Sequence, residues 1–278
     1  MELKIAVAGL GLIGGSLAKA LKKYTGCKVT GFDRDSKVLK AALESGAIDG
    51  AGNDESLRVA DVLYLCLYPQ GDIDFINGHL SSVKKKCIVT DTCGIKSSIF
   101  PALSRAAEKN GFTYVGGHPM AGKEKSGFAA SDAELFKGAS YILVPGNAPK
   151  SAVGLLKDIA LSIGFGGTVE TTPGEHDRMI AFTSQLPHVL ACAYVMSPQC
   201  PKHKGFSAGS YHDVSRVARI NEDMWTELFI DNKKALVEEL DTLTGSIAEI
   251  RDAVAGSDAQ KLRELLRKAR IIKERLGE

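Results

Sequence analysis

The chain has 278 residues, longer than most single cores, so two domains are expected. Apolar residues make up 44% and charged residues 24%, the balance of a water-soluble globular protein. A formal net charge of only +2 argues against nucleic acid or a membrane surface as the main partner.

The first half alternates short apolar runs with amphipathic stretches, the pattern of a parallel sheet flanked by helices. It predicts strands over 4–8, 28–33, 62–67, 87–90, 113–115, 141–144 and 167–170, with helices over 14–24, 37–45, 97–109 and 150–163 between them. After Thr172 the strand pattern stops. Residues 174–196 predict a long apolar helix kinked at Pro187, and residues 221–254 a second long helix. On the latter, Leu236, Leu240, Leu243, Ile247, Ile250 and Val254 step by three and four positions, a heptad-like seam. Gly256 and Ser257 break it, and residues 258–276 predict a third amphipathic helix, basic but with its charges on a solvated face. The fold expected is therefore α/β: a Rossmann-type, doubly wound, mostly parallel sheet over 1–171, then an all-helical part over 172–278. The heptad-like seam can pack inside its own domain or form a subunit interface; the wide apolar faces of the helical part have few partners within one chain, so a homodimer formed through these helices is the expectation.

The six cysteines make no Cys-x-x-Cys pair, which speaks against a disulfide framework or a zinc site and for a reducing compartment. With a buried strand starting at Lys4, no room for a signal peptide ahead of it and no membrane-length apolar run, a cytoplasmic protein is expected.

The first predicted strand runs into Gly9-Leu10-Gly11-Leu12-Ile13-Gly14 and then a helix, and the next predicted strand ends on Asp33. In that context the glycine spacing points to a dinucleotide. Gly9 permits the tight turn, Gly11 lets the pyrophosphate approach, and Gly14 lets the helix pack closely with its amides facing the phosphates. A carboxylate at Asp33 suits the adenosine ribose hydroxyls and repels a 2′-phosphate, favouring NAD over NADP, although Arg34 beside it offers a guanidinium to such a phosphate.

Reacting atoms in such a sheet sit beyond the carboxyl ends of the strands. Thr90-Asp91-Thr92-Cys93-Gly94-Ile95-Lys96 and Gly116-Gly117-His118-Pro119-Met120-Ala121-Gly122-Lys123-Glu124-Lys125-Ser126-Gly127 lie there. His118, in what reads as a glycine-rich loop, is the strongest candidate for catalysis. Asp91 is read as a cofactor contact or a helix cap, and Lys96 as an anion-attracting group or a solvated helix residue. Cys93 has no base beside it in the motif, which speaks against a nucleophile.

The second of these segments resembles the signature of the prephenate/arogenate (cyclohexadienyl) dehydrogenase family of tyrosine biosynthesis. The resemblance continues in Thr183-Ser184-Gln185-Leu186-Pro187-His188, in Asp213-Val214-Ser215-Arg216-Val217-Ala218 and in Met224-Trp225, so the motifs run in family order over nearly the whole chain. It implies an NAD-dependent oxidative decarboxylation of prephenate to 4-hydroxyphenylpyruvate, or of arogenate to tyrosine. By the same resemblance His118 accepts the ring hydroxyl proton, Arg216 binds a substrate carboxylate, His188 contacts substrate, and Glu124 and Trp225 lie near its entrance. The chain departs from the family pattern at Gly94, where a serine commonly supports the histidine, at Gln185, where some members have histidine, and at Lys123. A supporting hydroxyl would then come from Thr92, from water or from nothing. Without a regulatory segment after the last helix or a fused mutase ahead of the first strand, tyrosine is expected to inhibit only by competition. Two other readings are a β-hydroxyacid dehydrogenase, against which 175–194 carries no lysine, and an NAD-binding sensor without turnover.

Overall fold

A computed structural model describes residues 3–123 and 125–277. Eight strands form one sheet: β1 (Lys4–Ala8), β2 (Lys28–Phe32), β3 (Gly50–Ala51), β4 (Val62–Leu65), β5 (Ile88–Asp91), β6 (Thr113–Pro119), β7 (Ser140–Val144) and β8 (Gly167–Glu170). Their spatial order is β3-β2-β1-β4-β5-β6-β7-β8, so the order reverses between β1 and β4, where a doubly wound sheet opens its ligand crevice. All neighbouring pairs are parallel except β6 and β7.

The central strand explains the layering. Ile5 and Val7 join one apolar cluster with Leu17 and Leu21 of α1 (Leu12–Tyr24), while Ala6 and Ala8 join another on the opposite face. A strand covered on both faces reads as a continuous apolar run, and β4, Val62–Leu65, is likewise wholly buried. Around the sheet lie α2 (Ser36–Glu44), α3 (Asp54–Val59), α4 (Pro69–His79), α5 (Phe100–Asn110) and α6 (Lys150–Ser162). The strand β3 and the helices α3 and α4 carry no clear periodicity in sequence. One difference in the sheet bears on the site. Strand β6 runs on to Pro119, because Gly116 to Pro119 pair with Val144 to Tyr141 of β7. His118 therefore stands on a strand, not in a loop.

Beyond β8 every regular element is helical: α7 (Pro173–Ile180), α8 (Leu186–Val195), α9 (Gly209–Ser215), α10 (Glu222–Asp231), α11 (Lys233–Ala255) and α12 (Ala259–Leu276). The long helix expected to kink at Pro187 is interrupted by a π-helical turn, Ala181–Gln185, ahead of the proline. The widened turn accommodates a residue that cannot donate an amide hydrogen bond. The single helix expected over 221–254 is two, α10 and α11, separated at Asn232. That residue is buried, and its Nδ2 donates to the Asp177 carbonyl at 2.9 Å and to Gln185 Oε1 at 2.8 Å. The α10–α11 junction thus holds the π-helical turn by hydrogen bonds. Along the heptad-like seam Leu236 is buried, while Ile247, Ile250 and Val254 stand exposed. No described helix is long and apolar enough to cross a membrane.

Replacing Asn232 by Ala removes the donor from two buried acceptors, so Asn232→Ala is expected to lower unfolding free energy by about 1–3 kcal/mol, measured by urea titration.

Candidate active site

At the carboxyl end of β1 the chain turns through Gly9, whose φ of +89° and amide hydrogen bond to the Phe32 carbonyl (2.8 Å) set the bend. A Cβ on Gly14 would lie 1.8 Å from the Gly9 carbonyl oxygen, so only glycine lets α1 start this close to the turn. Gly11 caps α1 without a side-chain hydrogen bond, and nothing lies within 4 Å of where its Cβ would point. The first-turn amides at Leu12 and Ile13 thus begin a 13-residue helix beside open space, a fit for a diphosphate. Asp33 Oδ2 accepts from the Leu10 amide at 2.9 Å and Oδ1 from Asp35 at 2.9 Å. The carboxylate is thereby locked to the glycine turn, with lone pairs remaining on both oxygens. Arg34 is exposed next to it. These features suit a dinucleotide.

The structure corrects the readings of Asp91 and Lys96. Asp91 is fully buried at the end of β5 and caps no helix. Its Oδ1 accepts from the Cys93 amide (2.8 Å) and from Lys96 Nζ (2.7 Å); its Oδ2 accepts from the Tyr114 hydroxyl (2.7 Å) and the Gly117 amide (3.2 Å). With both oxygens engaged inside the protein, the carboxylate faces β6 and its own loop and not a cofactor. Lys96 is fully buried too, so it is neither a solvated helix residue nor an open substrate contact; besides Asp91 it donates to the Cys93 carbonyl at 2.6 Å.

His118, half-buried on β6, has its Nδ1 2.9 Å from Nε2 of His176, and Nδ1 of His176 lies 2.7 Å from Oδ1 of Asp177. Asp177 also accepts from the amides of Lys96 (2.8 Å) and Ser97 (2.7 Å), which ties α7 to the loop after β5. Removal from water, then the Lys96 ammonium and His176, push the His118 imidazole well below its ordinary value and keep it neutral. Burial also lowers His176, against the pull of Asp177. Burial raises Asp177, but hydrogen bonds from His176, Ser97 and Lys96 outweigh this and hold it below the usual carboxylate range. The nearest approach to a Cβ placed on Gly94 includes His118 Nε2 at 3.9 Å, so that nitrogen opens over a residue with no side chain. Thr92 does not replace the hydroxyl, because its Oγ1 donates to the Leu65 carbonyl. His176 and Asp177 went unmarked in the sequence; the only signal was an ionisable pair in the first turns after the last strand.

His188 donates from Nδ1 to the Ser184 carbonyl at 2.8 Å and stacks on Trp225, ring centroids 3.9 Å apart. Arg216 opens a 3-10 turn, Arg216–Ala218, that packs on α8, the helix carrying His188. Helical packing therefore brings His188, Arg216 and Trp225 into one neighbourhood. Glu124 lies outside the described residues. Lys123 pairs with Asp132 at the surface. Cys93 is buried with its thiol on Asp72 Oδ2 (3.3 Å), and burial raises it well above the ordinary thiol value, which suits a packing role and not a nucleophile. Asp72, Asp91 and Cys93 do bring ligand-type atoms within 4.8 Å of one another, but Lys96 supplies the cation at Asp91.

The sequence pattern of the prephenate dehydrogenase nucleotide-binding domain matches residues 17–167, and that of the prephenate dehydrogenase dimerization domain matches residues 172–268. The chain belongs to the prephenate dehydrogenase family. Within that family it is 32% identical to the prephenate dehydrogenase of Bacillus subtilis over 94% of this chain and 73% of the relative. It is also 32% identical to the cyclohexadienyl dehydrogenase of Zymomonas mobilis, over 94% of this chain and 91% of that one. Among solved structures, the prephenate dehydrogenase of A. aeolicus, in complex with hydroxyphenyl propionate and NAD+, superposes with a TM-score of 0.87 at 25% identity, covering 99% of each chain.

Two expectations follow. Because His118 and His176 are held neutral below their ordinary value of 6.5, the unfolded chain takes up protons first as pH falls. Stability is expected to decline as the pH falls below about 6.5, and the slope of Tm against pH to become shallower in His118→Asn. A Cβ on Gly94 makes only ordinary contacts, 3.7 Å and 3.8 Å to Leu228 and 3.9 Å to His118, so Gly94→Ser is expected to fold with Tm unchanged to within about 2 °C in calorimetry.

Proposed function

We propose that this member of the family is an NAD-dependent prephenate dehydrogenase, converting prephenate to 4-hydroxyphenylpyruvate and carbon dioxide in tyrosine biosynthesis. The observation that carries the reading is the neutral His118 imidazole, fixed on a strand at the carboxyl edge of the sheet by His176, with Nε2 opening over Gly94. A proton acceptor of this kind is what oxidation of a ring alcohol needs. When bound, NAD supplies the hydride acceptor.

The residues divide the remaining work. His118 accepts the hydroxyl proton through Nε2 as hydride leaves the same ring carbon. Loss of the ring carboxylate as carbon dioxide then leaves an aromatic phenol, so orientation and charge recognition are what the protein must provide. Arg216, whose planar guanidinium matches a carboxylate bidentately, holds one substrate carboxylate. His188, its ring fixed by Ser184 and by stacking on Trp225, is placed as a second substrate contact. Gly9, Gly11, Leu12, Ile13 and Gly14 receive the diphosphate, and Asp33 the adenosine ribose. Since Asp33 would face a 2′-phosphate with like charge, NAD is preferred over NADP even with Arg34 adjacent.

We assign residues 1–171 to nucleotide binding and 172–278 to substrate binding and dimerisation. A homodimer through the helical part is supported by the dimerization-domain match and by the exposed Ile247, Ile250 and Val254 on a seam that starts buried at Leu236. The site of action is read as the cytoplasm. The likeness to the cyclohexadienyl dehydrogenase favours arogenate as a second substrate; nothing favours a sensor without turnover.

The test is NADH formation with NAD or NADP and with prephenate or arogenate. NAD with prephenate is expected to be the best pair. His118→Asn should lower kcat about 10²–10⁴-fold, and Arg216→Lys should raise KM for prephenate about tenfold with a smaller effect on kcat. Measurable NAD binding without turnover of either substrate would overturn the reading.

A further inference from the structure

We propose that His176 and Asp177 act as a positioning relay for His118, setting its tautomer and balancing the positive charge it acquires when it takes the substrate proton. The proposal rests on the reading of His118 as the proton acceptor and adds what makes it one.

The hydrogen-bond chain dictates the protons. Asp177 lies in a position to accept from Nδ1 of His176 at 2.7 Å, so the proton of a neutral His176 sits on Nδ1 and its Nε2 carries a lone pair. That lone pair faces Nδ1 of His118 at 2.9 Å, which must therefore be the protonated nitrogen of His118. By elimination the lone pair of His118 lies on Nε2, the atom opening over Gly94. When Nε2 takes a proton from a ring hydroxyl, the Nδ1–H becomes a stronger donor to His176, and the Asp177 carboxylate offsets the charge one ring further on. No covalent bond to the protein forms, and the electron pair leaves the substrate as hydride.

Three features mark this arrangement as more than packing. The relay is buried, with His176 and Asp177 almost inaccessible to water. Asp177 is anchored independently by the Lys96 and Ser97 amides, so its carboxylate is fixed before His176 is oriented. The charged and titratable groups acting on the two rings are Lys96, Asp91, Asp177 and the rings themselves; Lys96 and a charged His176 disfavour charge on His118, whereas Asp177 and Asp91 draw positive charge toward His176.

The test compares His176→Leu with His176→Gln, whose terminal carbonyl can accept from His118 Nδ1. His176→Leu is expected to lower kcat about 10²–10⁴-fold with KM for prephenate and NAD affinity within about 3-fold of wild type. The acid limb of its kcat profile should move to lower pH, because protonated His118 has lost its acceptor. His176→Gln should recover about tenfold of the lost kcat. In parallel, nitrogen chemical shifts of histidine-labelled wild-type protein should identify both His118 and His176 as Nδ1-protonated, a readout that needs no variant to fold. A His176→Leu enzyme with kcat within about 3-fold of wild type, an unmoved acid limb, or a wild-type His118 protonated on Nε2 would each overturn the relay. Retained turnover in His118→Asn would instead overturn the underlying proton-acceptor reading, so the two failures are distinguishable.

Discussion

The buried pair of Asp91 and Lys96 is the constraint on which the site depends. Two opposite charges with no access to water are tolerable only if the remaining lone pairs and protons are met. Here they are met by the backbone of the site and one side chain: the Cys93 amide and carbonyl, the Gly117 amide and the Tyr114 hydroxyl. The pair therefore fixes the loop after β5 to the end of β6, one strand over. It also sets the field around His118, since an ammonium held in low dielectric beside an imidazole opposes its protonation.

Around that pair, the nucleotide half and the helical half meet through hydrogen bonds from one short helix. Asp177 reaches back to the amides of Lys96 and Ser97, while its own carbonyl is held by Asn232 from the α10–α11 junction. Gln185, at the end of the π-helical turn, accepts from Asn232 and donates to the Leu228 carbonyl. A histidine at this position in some relatives would be titratable; the amide offers a donor and an acceptor at once whatever the pH, which is what a position between two fixed partners requires.

The parts legible in the sequence were those whose signals are local. A continuous apolar run gives β1 and β4, the glycine turn and Asp33 mark the nucleotide end, and His118 lies at the expected edge. What escaped was set by contacts between distant segments. Gly116 to Pro119 look like a loop because glycine and proline weaken a strand, yet a Cβ at Gly117 would lie 2.4 Å from the Tyr141 hydroxyl and 2.5 Å from the Asp91 carbonyl oxygen, so the close strand approach demands the glycine. Lys96 reads as either an anion-attracting group or a solvated one because lysine is usually exposed, and only the tertiary fold encloses it. His176 pairs with a residue 58 positions earlier, a relation no spacing rule contains. Asn232 broke the helix expected through it by bonding to two other segments.

The run of β6 past β5 has an entropic consequence. His118 stands in ladder register with Ile142 of the antiparallel β7, so its backbone is already frozen before any substrate arrives. A base on a mobile loop would have to be immobilised during each encounter, at a cost set by the dihedrals brought to rest. Here that ordering was completed during folding, so a ligand arriving at His118 has no backbone to bring to rest there.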